Sequence, residues 1–291
     1  QVFHFTTFDT GLTYNGWTEA VSPDGYIMFN MGYNNSGRLG QNDNADRSSP
    51  TQVGSTYGLD TGLWQVTYGG NQGIIQRNTT ELWVTGYNAT GSLGQNNTTK
   101  YSSPIQVPGT WARATVGENV MMASKSDNTF WVWGQNWYGQ LGLNNVGSPG
   151  NHGLSSPTQL PGSWSTGEGK TCIGNQSSFA IDTSGQLYSW GRNFTGVLGH
   201  DESGGGGGYP GSRSSPTQVG GNTNWNQMLH CDVHSTTATK TDGTLWSWGY
   251  NGNGQLGLNQ STSTSRSSPT QVPGTTWSRA FMLNAMQIAT K

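Results

Sequence analysis

Two short stretches hold the side chains best suited to chemistry. The first is His200-Asp201-Glu202, followed by five glycines, Gly204 to Gly208, and Tyr209. A histidine and two carboxylates offer ligands to a cation, but three adjacent loop residues seldom turn toward one ion. A glycine run suggests a phosphate cradle, yet no Gly-Lys-Ser/Thr follows it, so it reads as a flexible loop. The second stretch is His230-Cys231-Asp232 with His234. On a strand, positions four apart share a face but lie about 13 Å apart along it, too far to bind one ion. No Ser, His and Asp show the spacing of a triad, and no pair of carboxylates recurs. The sequence nominates no catalytic residue, no metal site and no cofactor, and the chain reads as a binder rather than an enzyme.

The elements that must position these residues come from a repeat. Gly-x-Asn occurs at Gly32, Gly86, Gly134, Gly191 and Gly249, and a few residues later comes Gly-x-Leu-Gly: Gly37-Leu39, Gly91-Leu93, Gly139-Leu141, Gly196-Leu198 and Gly254-Leu256. A Ser-Ser-Pro follows each time, ending at Pro50, Pro104, Pro157, Pro216 and Pro269. Three ordered landmarks five times over, at a period near fifty residues, mark a repeat architecture and exclude helical hairpin repeats of about 34 residues. Each unit reads as four short strands: one at Thr-Gln-Val, one led by Trp64, Trp111, Trp164, Trp225 or Trp277, one of small apolar residues, and one alternating, as in Leu187-Tyr188-Ser189-Trp190. Four strands per unit, arranged radially, make a β-propeller of five four-stranded blades. The glycines and leucines of Gly-x-Leu-Gly read as structural, because repetition in every unit is what packing demands and a single active site does not.

Composition agrees. Only 10% of the 291 residues are charged, where soluble domains carry about 25%, so neutral hydrogen-bonding groups must solvate the surface. The formal net charge is −2, and thirteen Trp with eleven Tyr can build a core from an otherwise polar chain. Thirteen Lys plus Arg scattered singly leave no basic stripe for nucleic acid. No apolar run approaches the roughly 20 residues that span a bilayer, so membrane insertion is not expected. Cys172 and Cys231 lie 13 and 12 residues before Gly185 and Gly243, at nearly equivalent places in adjacent units. Equivalent positions on neighbouring blades should exceed the roughly 7 Å Cα limit for a disulfide, so both read as unbridged.

The run Leu245-Trp246-Ser247-Trp248-Gly249-Tyr250-Asn251, continued by Gly254-Gln255-Leu256-Gly257-Leu258 and by Ser267-Ser268-Pro269-Thr270-Gln271-Val272, resembles the repeat of the regulator of chromosome condensation family of β-propellers. Phe130 to Leu143 and Gln186 to Gly199 match nearly as well, whereas Tyr26 to Gly40 and Leu82 to Gly94 lack the Trp before Gly. The resemblance implies a propeller over residues 23–291, typically of seven blades, so six or seven is the alternative to the five counted. The chain ends at Ala289-Thr290-Lys291 where a fourth strand should begin, and that strand stands at the other end as Tyr26 to Met31. Pairing the two termini in one blade would close the ring and remove two sheet edges. Residues 1–22 fall outside the pattern and read as an arm or attachment strand suited to an assembly.

From Gly-x-Leu-Gly to Ser-Ser-Pro the spacing varies from 13 to 20 residues, so the insertions emerge on one face and could carry specificity there. Candidate binding residues on that face are Tyr101, Trp137, Tyr138, His152, His200, Asp201, Glu202, Tyr209 and Arg213. The leading expectation is a non-catalytic structural or adhesion module, extracellular or on a virion surface as a phage appendage or decoration protein. Its partners would be other protein subunits or a surface receptor or glycan. The alternatives are a secreted bacterial inhibitor-like propeller and, as the resemblance implies, a guanine-nucleotide exchange factor.

Overall fold

The computed structural model describes residues 20–21, 28–53, 65–69, 71–77, 80–147, 153–174, 176–202, 211–231, 234–260, 264–277, 279–283 and 286–290. Every regular element in it is a strand. The first sheet contains β1 (Ala20–Val21), β2 (Met28–Gly32) and β3 (Arg47–Gln52). Four complete antiparallel sheets follow. The first of these is β4 (Gln65–Gly69), β5 (Gln72–Arg77), β6 (Glu81–Gly86) and β7 (Tyr101–Val107), and the next β8 (Arg113–Val116), β9 (Val120–Ser124), β10 (Phe130–Gln135) and β11 (Gly153–Leu160). After them come β12 (Thr171–Ile173), β13 (Ser177–Ile181), β14 (Leu187–Gly191) and β15 (Arg213–Gln218), then β16 (Trp225–Cys231), β17 (Ser235–Lys240), β18 (Leu245–Gly249) and β19 (Arg266–Gln271). A hairpin of β20 (Arg279–Leu283) and β21 (Met286–Thr290) ends the row.

The first strands of successive sheets touch one another, β4 against β8, β8 against β12, β12 against β16 and β16 against β20, so they are the inner strands about which the sheets are arrayed. This is the all-β propeller expected from the repeat. The blade boundary falls one strand later than the sequence suggested: the Ser-Ser-Pro strand is the outermost member of the sheet that precedes it, paired to the Gly-x-Asn strand. A periodic sequence has no marked beginning, and hydrogen bonding alone sets where one blade ends.

Packing follows from strand alternation. Along β10, Trp133 faces the cluster shared with the preceding sheet, which includes Ile74, Val84, Leu93 and Trp111, while Phe130 and Val132 face the cluster shared with the next, with Ile173, Ala180 and Trp190. Each sheet is therefore buried on two faces, and the core is a series of slabs between blades rather than one centre. Trp133, Trp190 and Trp248 are each completely buried there.

Two expectations are corrected. Cys172 and Cys231 are bridged, with Cα atoms 6.0 Å apart. Equivalent positions on neighbouring blades are distant at the rim, but these two sit on the inner strands β12 and β16, where blades converge to within disulfide reach. The expected pairing of the terminal strands is also absent among the described residues. Ala20 and Val21 pair with Phe29 and Met28, taking the edge of β2 that the last strand was expected to take, and β20–β21 stands as a separate hairpin. A hairpin across a short connection has little loop entropy to overcome, which favours the local partner. Apart from Ala20–Val21, the arm 1–22 lies outside the described residues, as do Trp64, Pro23-Asp24-Gly25 and Asp232.

Candidate binding face

The loops that follow the Gly-x-Asn strands are built alike. Asn34, Asn88, Asn136, Asn193 and Asn251 are buried, and each Oδ1 accepts from the backbone N–H of the Leu five residues on, at 2.8–3.1 Å. In the first four units the amide Nδ2 donates to the carbonyl nine residues on, that of Asp43, Asn97, Asn145 or Glu202. One side chain thus holds the turn and the insertion together, so both emerge at one end of the sheets. The Leu plugs Leu39, Leu93, Leu141, Leu198 and Leu256 are fully buried. The first glycine of Gly-x-Leu-Gly has φ between 75° and 80° and meets the next blade: a Cβ at Gly139 would lie 2.5 Å from Ser214 Cα.

A second repeated contact joins neighbouring blades. Asn42, Asn96, Asn144 and Asp201 all have positive φ, and each donates its backbone N–H, at 2.7–2.8 Å, to the first Ser of the next Ser-Ser-Pro. Their side-chain oxygens accept from the second Ser, Ser103, Ser156, Ser215 or Ser268. Asp201, a candidate ligand residue by sequence, is therefore the fourth copy of a joint between blades.

His200 is half-buried, its Nε2 2.9 Å from Ser189 Oγ. Glu202 turns the other way to Arg213 Nη2, at 2.8 Å. The three neighbours His200, Asp201 and Glu202 thus engage three different partners, and no three His, Cys, Asp or Glu side chains converge among the described residues. Tyr101 is half-buried with its hydroxyl bonded to Asn97 Nδ2 at 3.1 Å. His152, Tyr209 and the run Gly204 to Gly208 lie outside the described residues.

The same end carries all five large apolar side chains that stand exposed among the described residues: Tyr33, Trp137, Val146, Phe194 and Tyr250, from 36% to 59% accessible. Four of them sit at or just after Gly-x-Asn, and Val146 in the insertion beyond. Several form a continuous row. The Arg192 guanidinium lies 5.0 Å from the Tyr138 ring centre and 4.9 Å from that of Phe194. Phe194 is 5.7 Å from His234, and His234 5.9 Å from Tyr250. Arg192 is held from beneath by Gln176 Oε1, and a second pair, Arg38 over Tyr33 at 5.0 Å, is held by Asn71 Oδ1. These stacked rings and guanidiniums make a contact surface of aromatic groups with two cationic centres, Arg38 and Arg192.

Of the residues nominated from sequence, Trp137 and Tyr138 belong to this surface. Tyr33, Arg192, Phe194 and Tyr250 were not nominated, because they neighbour repeated Gly and Asn positions assigned to structure, and His234 was weighed only as a metal ligand. The available signal was that the x of Gly-x-Asn changes from unit to unit, as Tyr33, Tyr87, Gln135, Arg192 and Tyr250.

The family profile described as the regulator of chromosome condensation (RCC1) repeat matches residues 242–282. Among solved structures, the chain is similar to Prp20p from Saccharomyces cerevisiae, described with its binding to Gsp1p and histones, at 20% identity and a TM-score of 0.69, over 89% of this chain and 62% of that one. It is similar to yeast RCC1 (Prp20) in a structure with Kap60 bound, at 18% and 0.71, over 89% and 60%, and to human WBSCR16, at 20% and 0.67, over 88% and 64%. The chain spans about three fifths of the length of these structures.

Proposed function

We propose, taking as premise that this chain is an RCC1-like β-propeller, that it is a non-catalytic protein-binding module whose partner seats on the aromatic loop face. The observation that carries this reading is the row Tyr138, Arg192, Phe194, His234 and Tyr250, with Phe194, His234 and Tyr250 exposed and Tyr138 and Arg192 half-buried, at the end of the blades where all the exposed large apolar groups among the described residues gather. Tyr, Trp and Arg are the residues enriched where binding energy concentrates, and apolar groups gathered on one face of a soluble protein mark contact sites. What is named for the yeast neighbours is binding to proteins, namely Gsp1p, histones and Kap60, which supports the same class of partner here. Those names lend no support to a virion or glycan-receptor setting. An exchange factor for a small GTPase is the narrower form of the reading, and stimulated nucleotide release from a purified small GTPase would be its mark.

The test places a photo-crosslinking residue at Tyr250, on the face, or at exposed Ser126, at the opposite end of the blades. The first should give a discrete protein adduct and the second none. Replacing Phe194 and Tyr250 together by Ala should weaken capture of that adduct's protein about 30-fold, equivalent to about 2 kcal/mol, with unchanged melting temperature. Equal adducts from both ends would sink the reading.

A further inference from the structure

Three sheets carry the same set of side chains on one face, and in one of the three a charge is reversed. Cross-strand pairing sets the arrangement: Ala123 lies opposite Trp131, Ala180 opposite Tyr188 and Ala238 opposite Trp246. Two residues beyond each alanine, where alternation returns the chain to the same face, stand Lys125, Asp182 and Lys240. The backbone shows that these positions are equivalent. Each donates its N–H to the carbonyl four residues on, and Trp164 pairs with Asp182 as Trp225 pairs with Lys240.

In two of the sheets the lysine seats its ammonium on a pair of rings. Lys125 Nζ lies 3.9 Å from the Trp131 ring centre and 5.2 Å from that of Trp111, and Lys240 Nζ lies 3.7 Å from Trp246 and 4.7 Å from Trp225. Those rings meet edge to face, with centres 6.2 and 6.0 Å apart. Sheet β12–β15 keeps the ring pair, as Trp164 and Tyr188, edge to face at 88° with centres 5.4 Å apart. Its lysine position is Asp182, so a carboxylate accompanies rings whose faces are themselves negative. Asp182 Oδ1 accepts from Ser184 N–H, Ser184 Oγ and Gln186 N–H at 2.7–2.9 Å, which fixes the carboxylate and leaves Oδ2 to another donor. Asp182 forms no ion pair among the described residues. Burial first, and the Asp182 charge second, hold the Tyr188 phenol above its ordinary pKa, so the carboxylate acts at the rings.

We infer that Trp164, Tyr188 and Asp182 form a binding site for an alkylammonium group supplied from outside the chain. The two sister sites define the ligand, because each seats a primary ammonium at the end of a four-carbon chain on the same pair of rings. Asp182 adds what those sites do not have, a negative charge and a strong acceptor for the ammonium protons. Tyr188 and Asp182 are half-buried, open enough for a ligand to reach and covered enough for the charge to be felt. Strand β14 runs from Leu187 beside this turn to Gly191 at the aromatic loop face, so the two sites lie at opposite ends of the blade. The inference does not rest on the proposed function, and its failure would leave the photo-crosslinking result untouched.

The test titrates the full chain with n-butylammonium, a lysine side chain without its backbone, and with n-butanol as the uncharged counterpart, following the Trp164 indole and Tyr188 ring by NMR. Butylammonium should shift both signals saturably with a millimolar dissociation constant, and butanol should not. Trp131 and Trp246, which have their own lysines, should stay unmoved. Asp182→Asn keeps the Oδ1 acceptor and should weaken binding about 5-fold, while Asp182→Lys, which restores the residue of the sister sites, should abolish it. A capped Gly-Lys-Gly peptide separates the two sources of the group, and both results support the site: tighter binding than butylammonium assigns it to a lysine of another polypeptide, weaker binding to a free amine. Should the Asp182 variants fail to fold, Lys125→Asp decides, because it should confer the butylammonium response on Trp111 and Trp131. No saturable shift at Trp164, equal shifts at all three ring pairs, undiminished binding to Asp182→Lys, or a Lys125→Asp protein that gains no response overturns the inference.

Discussion

His200 shows how one position changes its chemistry while keeping its place in the repeat. It follows the second glycine of Gly-x-Leu-Gly, where the first two units have Gln41 and Gln95, whose amides donate to carbonyls of the adjoining outer strand. Ser189 Oγ donates its proton to Leu198 O at 2.7 Å, so it accepts from His200, which places a proton on Nε2. Burial holds the His200 pKa below its ordinary value, Arg213 acts in the same direction, and Glu202 and Ser189 act against them. The unfolded chain therefore binds more protons than the folded one as pH falls through the ordinary histidine value of about 6.5. This contribution to stability is complete above that pH and declines below it. His200→Gln, which restores the residue of the first units, should flatten the fall of melting temperature between about pH 7 and 5; parallel curves for the two proteins would refute the assignment. The sequence showed His200-Asp201-Glu202 as a cluster because it shows adjacency. That Asp201 repeats Asn42, Asn96 and Asn144 was legible only by counting two residues on from the second glycine of each Gly-x-Leu-Gly.

Between elements, the blades are stapled by the strand that ends in Trp-Gly. Trp133, Trp190 and Trp248 reach back to the preceding unit and donate Nε1–H to the carbonyls of Ser92, Gln140 and Val197, at 2.7–2.9 Å. Where the second unit lacks this Trp, Thr85 takes over, its hydroxyl donating to Gly37 O at 2.6 Å. The second unit, imperfect in sequence, therefore keeps the staple with a different donor. Trp133→Phe leaves Ser92 O buried without its donor and should cost about 2 kcal/mol in urea unfolding. Trp131→Phe should cost less than half as much, since the Trp131 indole is half-buried and bonds Thr129 Oγ1. Equal losses would show that ring volume matters and the staple does not. Strand order and the inward Trp faces could be read from the sequence, since alternation reports them directly. The blade boundary could not, because pairing of the Ser-Ser-Pro strand with its predecessor leaves no mark in composition.

For the whole molecule, five units were legible from three landmarks in fixed order, while the seam and the covalent link were not. Both depend on how near distant residues come at the inner strands, which spacing along a chain does not encode. The Cys172–Cys231 bridge closes a separation of 59 residues, for which lost chain entropy in the unfolded state amounts to about 4 kcal/mol. Replacing both cysteines by Ala should lower unfolding stability by up to that amount, as should a reductant acting on the unaltered protein. An unchanged urea midpoint in both experiments would mean that the link adds nothing to stability. The bridge also makes the molecule mechanically uneven. Drawn out by its two ends, the chain would lengthen freely on either side of the bonded cysteines while the stretch between them stayed slack, withholding about 200 Å of extension until the sulfur link was cut. A tether made of this protein would thus have a chemically adjustable length.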